Sequence, residues 1–176
     1  MAQPLSCRSL PLFEHTAQWF ERAHAALLGE LPCRQGCSHC CVGIFPVTIL
    51  DERVIQLGLK TLPDSQRKRI METAAAQVTQ LTVAVPQLHA SRFIDDWPEQ
   101  DCERVTGQCA AWPCPALEKD GGCAIYQFRP LVCRSMGIPS EEEGLVAGAC
   151  AVQTAVPVIR LSKALREEEN RLAAQE

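Results

Sequence analysis

The sequence predicts a mainly α fold: a single compact helical domain with an irregular cysteine-rich centre and little or no β structure. Three observations predict it. Apolar residues recur at helical spacing in several separate stretches, with no pattern of alternating strands. Turn-forming residues gather in one central region, 91–125. The 176 residues suffice for one domain with a hydrophobic core, so stability does not require disulfide staples. No repeat and no long linker divides the chain, so 1–176 is expected to be one unit.

The first predicted helix covers 13–31. Phe13, Ala17, Phe20, His24, Leu27, Leu28 and Leu31 repeat at helical spacing, with Glu14, Gln18, Glu21 and Arg22 opposite. His24 lies on the apolar face, the place of a packed histidine rather than a ligand. Pro32 marks the boundary. A second helix starts near Thr48, because Thr48 and Asp51 have capping-box spacing, and it buries Leu50, Val54 and Leu57. Gly58 and Pro63 end it. Asp64 caps a third helix with Ile70, Ala74, Val78, Leu81 and Val85 on one face, stopped by Pro86.

Residues 91–125 carry DDWPEQD, then Trp112, Pro113 and Pro115, then DGG at 120–122. They read as loop, with a short hairpin around Asp120–Gly122. The acidic group Asp95, Asp96, Glu99 and Asp101 reads as a solvated loop beside Trp97. A last helix over 156–174 turns Val158, Leu161, Leu165 and Leu172 inward and leaves REEEN at 166–170 to solvent.

Charge and hydropathy exclude several partners. The net charge is −4, so no phosphate-tracking surface and no nucleic-acid partner is expected. Pro4, Ser6, Arg8 and Pro11 interrupt the apolar run a signal peptide would need. Gln153, Thr154 and Pro157 interrupt the most apolar later stretch, 145–159, which is short for a bilayer span. The expectation is a cytoplasmic protein with no membrane partner. Cytosolic thiols stay reduced, and 11 cysteines cannot pair completely, so metal or redox chemistry is the expected use. Serine-hydrolase and glycosidase chemistry finds no support.

The segment LPCRQGCSHCC holds four cysteines in nine residues: Cys33, Cys37, Cys40 and Cys41. As a helix, this spacing places all four sulfurs on one face. If Gly36 breaks the helix, it makes a tight loop that wraps an ion. Crowded thiolates repel, and a bound cation removes that cost. Adjacent side chains point apart, so Cys40 and Cys41 are not an equivalent pair; one ligates and the other binds a second metal, bridges or remains a thiol. His39 is expected to donate to a nearby thiolate rather than to ligate. Cys114, Cys123, Cys133 and Cys150 occur singly, without the paired knuckles of a zinc ribbon. They are expected to fold back onto the first cluster. Cys7 reads as a small buried hydrophobe, and Cys102 and Cys109 as either buried or switching thiols.

CRQGCSHCC at 33–41, CPAL at 114–117, GGCAIY at 121–126 and RPLVCR at 129–134, with PVTILDE at 46–52, resemble the YkgJ-type cysteine-cluster family, named for zinc or iron chelation. The first gap here is one residue longer than in the family label. The resemblance spans roughly 30–150 and implies eight metal ligands: Cys33, Cys37, Cys40, Cys41, Cys114, Cys123, Cys133 and Cys150. It also implies a bacterial setting, and no secure reaction. In the same motif, Arg134 either favours a thiolate at Cys133 or, with Arg129 and Pro130, starts a short helix beside Tyr126.

An all-cysteine shell suits zinc or an iron–sulfur cluster, and the dense C-x3-C-x2-C spacing favours iron–sulfur. That spacing also occurs in radical SAM enzymes, but their βα barrel is not seen here. The expected function is a metal-binding protein. Its alternatives are an iron–sulfur oxidoreductase or electron carrier, and a thiol redox sensor using Cys40 and Cys41 or Cys102 and Cys109.

Overall fold

Helices form where apolar stripes predict them, but the first is shifted in phase, the third is held largely by polar contacts and one over 99–108 is added. A computed structural model describes residues 11–27, 35–136, 138, 140–142, 145–147 and 162–175. Cys7, Cys33 and Cys150, the boundary at Pro32, and the inward positions predicted for Leu28, Leu31, Val158 and Leu161 lie outside the described residues.

The elements are α1 (Pro11–Ala26), α2 (Ile49–Thr61), α3 (Asp64–Ala84), a 3-10 turn (Pro86–His89), α4 (Glu99–Gln108), a second 3-10 turn (Tyr126–Phe128), α5 (Leu131–Ser135), β1 (Ser140–Glu142), β2 (Leu145–Ala147) and α6 (Lys163–Ala173). The two strands form a single antiparallel pair, Ser140 opposite Ala147. The fold is therefore mainly α, as predicted. Among the described residues, no helix is long and apolar enough to cross a membrane.

In α1 the buried stripe is Phe13, Thr16, Trp19 and Ala23, continued by Leu27 just beyond it. Ala17, Phe20 and His24, predicted on that stripe, are only half-buried. The phase is set by Trp19, which can be fully buried because its indole N–H reaches the carbonyl of Leu165 on α6 at 2.9 Å. Thr16 is satisfied by donating to Leu12 O at 2.8 Å. Trp19, Ala23, Leu27 and Ile138 form one core cluster, against which Phe20, Leu165 and Leu172 pack. Phe13, Val54 and Leu131 form a second, with Leu12, Leu50 and Phe128 beside it. Thus α1 serves both clusters, meeting α6 with one and α2 and α5 with the other.

The capping box of α2 forms as predicted. Thr48 Oγ1 accepts from Asp51 N at 3.1 Å, and Asp51 Oδ2 accepts from Thr48 N at 3.0 Å. Gly58, predicted to end the helix, lies inside it and is buried. A Cβ there would lie 2.7 Å from Phe128 Cβ and 3.2 Å from Ile125 Cβ. This glycine is selected for close approach rather than for chain termination.

Two further corrections concern α3 and α4. Pro63 occupies the N-cap of α3; Asp64 is its first residue and pairs with Arg67 instead of capping. Of the predicted apolar face, Ile70 and the flanking Val85 are buried, while Val78 is 57% exposed. The side of α3 that meets the rest of the chain is largely polar. Gln66 and Arg69 bind the Glu118 carboxylate, and Gln77 donates to Pro113 O at 2.8 Å. Residues 99–108, predicted as loop, form α4 behind Pro98. This helix needs only Val105, and Cys109 at its end, as buried anchors, so its polar composition hid it.

The close approach at Gly58 gives a direct test. Gly58→Ala should gain about 1 kcal/mol of helix propensity and lose about 1–3 kcal/mol to overpacking against Phe128. We expect a net loss in the urea-unfolding midpoint. A higher midpoint would show that the helix–turn packing is loose.

Candidate metal centre

Among the described residues, the first cysteine cluster is a loop, not a helix. Gly36 has φ +92° and Gly43 φ +82°, conformations that favour glycine and end helical geometry on either side of Cys37, Cys40 and Cys41. Between these glycines, Cys41 N bonds to Ser38 O at 2.9 Å, closing a turn over 38–41 that holds Cys40 and Cys41 beside Cys37. Of the two geometries open to the spacing, the Gly36 break is the one adopted.

The second half of the chain lies directly against this loop. Gly43 N donates to Trp112 O at 2.7 Å, and Cys114 N donates to Cys41 O at 2.9 Å, forming the antiparallel bridge of Val42 with Pro113. The predicted hairpin is also present. Leu117 bridges Cys123, Glu118 N bonds to Gly122 O at 2.8 Å, and Asp120 Oδ1 accepts from Gly122 N at 2.9 Å. At its tip Gly121 has φ +84°, and a Cβ there would lie 3.0 Å from Gly36 O. Each end of the first loop is therefore seated on a segment that carries a cysteine of the second half.

Cys133 arrives on α5. Its helix is anchored by Leu131 N, which donates to Asp51 Oδ1 at 2.8 Å. Between Cys123 and Cys133, Arg134 turns back, donating from Nε to Arg129 O at 3.0 Å and from Nη2 to Gln127 O at 2.9 Å. Arg134 is buried over the Phe13 ring. It thus secures the 127–129 backbone, while α5 is the short helix expected after Pro130. Arg129 acts to lower the pKa of Cys40, Cys123 and Cys133 through its charge. It stacks 3.7 Å from the centroid of the half-buried Tyr126 ring, and Nε donates to Tyr126 O.

Electrostatics tie five cysteines together. A hydrogen bond from the Cys41 thiol, aided by the Cys40 amide and the charges of Arg129 and His39, outweighs burial and lowers Cys40 from 9.0 to about 6. Donating that proton, with burial and the Cys40 charge, raises Cys41 strongly. Burial raises Cys114 and Cys123, opposed by backbone amides: Ala116 and Leu117 for Cys114, Ile125 for Cys123. Burial, together with the charges of Cys114, Cys40 and Cys123, pushes Cys133 up to about 12, although Arg129 opposes the rise. In short, one thiolate is already favoured while the thiols around it are held protonated by burial and mutual repulsion.

These findings place the predicted residues. Cys40, Cys41, Cys114, Cys123 and Cys133 share one electrostatic environment, and Cys37 is half-buried in the same loop. Among the described residues, no three His, Cys, Asp or Glu side chains are already grouped to hold an ion. Burial alone raises Cys109, so it behaves as the small buried hydrophobe and stands apart from the group. Cys102 is half-buried on α4. His39 is exposed and influences Cys40 through charge. Sequence reading missed the clamp of Gln66, Arg69 and Gln77 on the loop carrying Cys114. Their helical spacing on one face of α3 is the signal that could have revealed it.

The donor set suits a soft or borderline cation. Its members are thiols, some with backbone amides turned towards sulfur and one guanidinium nearby. Zinc or iron held here by Cys40, Cys41, Cys114, Cys123 and Cys133 would offset the burial that chiefly keeps Cys114, Cys123 and Cys133 protonated, and with it the lesser repulsion between thiolates.

Comparison with known proteins gives one match. The family model CxxCxxCC, described as "Putative zinc- or iron-chelating domain", covers residues 32–151. No curated protein and no solved structure matches.

In metal-free protein, Cys40 should alkylate first, at a rate that falls as pH drops through about 6, because only its thiolate is nucleophilic. Cys133 should remain slow until pH approaches about 12. Cys41→Ala removes the leading cause of the low value and should move the Cys40 midpoint up further than Arg129→Gln does. Site-resolved alkylation by mass spectrometry reads both, and an unchanged midpoint in Cys41→Ala would refute the thiol–thiolate bond.

Proposed function

Because the chain belongs to the CxxCxxCC family, whose model covers residues 32–151, we propose that it chelates its metal in one thiolate centre built from both halves of the sequence. The candidate donors are Cys33, Cys37, Cys40, Cys41, Cys114, Cys123, Cys133 and Cys150; four of them hold iron in an iron–sulfur cluster, and the rest are second-site or redox thiols. The observation that carries this reading is the backbone bond from Cys114 N to Cys41 O at 2.9 Å. It brings a solitary cysteine of the second half against the dense cluster of the first. The shared electrostatic environment of Cys40, Cys114, Cys123 and Cys133 supports the same assembly.

Iron–sulfur is chosen over zinc on the dense C-x3-C-x2-C run and the lack of paired knuckles. When bound, such a cluster supplies one-electron chemistry. The chain's own contribution is to orient the thiolates, to oppose their negative charge with Arg129, and to direct the amides of Ala116, Leu117 and Ile125 towards sulfur. Those same features would serve an electron carrier, so a reversible reduction potential is the measurement that would extend the function from chelation to electron transfer.

Metal and sulfide analysis with visible absorbance, on protein purified without oxygen, tests the occupant. Iron, sulfide and a broad visible band are expected. Zinc alone in a colourless protein would replace iron–sulfur with a zinc centre, and absence of both would leave a thiol-sensor function. Cys123→Ser and Cys133→Ser should each lose most of the metal, whereas Cys109→Ala should keep it and lose only about 1 kcal/mol of stability. Full metal content in both serine variants would disprove the shared centre.

A further inference from the structure

Asp51 is the buried ionisable side chain for which chelation itself has no use. It is 0% exposed and uses both carboxylate oxygens. Oδ2 accepts from Thr48 N and Thr48 Oγ1, each at 3.0 Å. Oδ1 accepts from Leu131 N at 2.8 Å, across a sequence separation of 80 residues. A capping box needs only the first of these arrangements, and an exposed carboxylate makes it without the desolvation cost of full burial. The second oxygen adds a connection between two helix starts. One follows the loop of Cys37, Cys40 and Cys41; the other carries Cys133. Around it, Phe13, Val54 and Leu131 pack into a single cluster, so this connection lies in the core rather than at the surface.

We infer that Asp51 is a positioning residue of the thiolate centre. By holding Thr48 and Leu131 with one carboxylate, it sets where Cys133 stands relative to the first cysteine loop. This rests on the proposed chelation by cysteines of both halves. No other residue type serves both helices equally. Asparagine offers one acceptor oxygen, and its NH2 then faces the amide donors of the other helix. Glutamate can bond the Thr48 amide as in other capping boxes, but its longer side chain shifts the second oxygen that here accepts from Leu131 N. Alanine leaves the Leu131 amide without its partner in the core.

The test compares wild type, Asp51→Asn, Asp51→Ala and Val54→Ala, all purified without oxygen. Val54 is fully buried in the same cluster and makes no bond to Leu131 N, so its variant loosens the packing and leaves the carboxylate connection intact. Two quantities are read: the EDTA concentration that removes half of the bound iron or zinc, and alkylation of each cysteine in the metal-loaded protein. We expect Asp51→Ala to lose metal at about ten-fold lower EDTA. Cys133, displaced from the position where burial keeps its thiol unreactive, should become alkylated in it while Cys40 and Cys114 remain protected. Asp51→Asn should fall between it and wild type. Val54→Ala should keep the wild-type pattern of protection at whatever stability it retains. If Asp51→Ala does not fold, Asp51→Asn against Val54→Ala decides by the same pattern.

Equal metal loss in the Asp51 and Val54 variants, with no selective exposure of Cys133, overturns the positioning role. Wild-type protein that carries neither iron nor zinc overturns the chelation reading itself, an outcome visible before any variant is compared.

Discussion

A single buried carboxylate holds the arrangement together. Removing Asp51 from water costs several kcal/mol, and the cost is met by hydrogen bonds from Thr48 N, Thr48 Oγ1 and Leu131 N. Its position at the start of α2 adds the favourable interaction of a negative charge with a helix N-terminus. Once α2 and α5 share this group, much else is constrained. Phe128 must pass close to α2, which is why position 58 has no side chain. Phe13 must fill the space beside Val54 and Leu131, which sets the phase of the start of α1.

The cysteine region is organised by backbone pairing more than by apolar packing. Loop 36–43 is seated against 112–114 and the turn at 118–122 through Gly43, Cys114 and Gly121. On the outer side, Gln66, Arg69 and Gln77 of α3 grip Glu118 and Pro113. These polar contacts satisfy loop carbonyls that would otherwise be stranded, and they do so without a hydrophobic core of their own. Among the described thiols, Cys40 favours the thiolate and Cys41 retains the proton. A cation is the natural completion of such a group, because it replaces several protons and removes their mutual repulsion in one step.

Legibility differed by the range of the interaction involved. The capping box of Thr48 and Asp51, the turn at Asp120–Gly122 and the stop at Pro86 were readable because each is decided within a few residues. Gly58 was misread for the opposite reason. Locally it looks like a helix stop, and only its closeness to Phe128 explains it. Trp19 was overlooked because its partner is the carbonyl of Leu165, far along the chain. Arg134 looked like the charge beside Cys133, yet it points at the carbonyls of Gln127 and Arg129, while Arg129 acts on the thiols. Adjacency in sequence does not specify the direction of a long side chain. α4 was hidden because two buried residues suffice to hold a short helix.

By itself the sequence determined the helical class, the capping box of α2, the turn at 120–122 and the thiol chemistry, since periodicity, short polar motifs and cysteine density are local properties of the chain. It also carried the family, through motifs spread over residues 32–151. Only the tertiary structure decided which backbone segments bring the two cysteine regions together, that Arg129 influences Cys40, Cys123 and Cys133, and that Asp51 serves two helices at once. Those outcomes depend on distances between residues tens of positions apart. Such distances are set by the joint packing of α1, α2 and α5 and by the pairing of 41–43 with 112–114, which no single segment encodes.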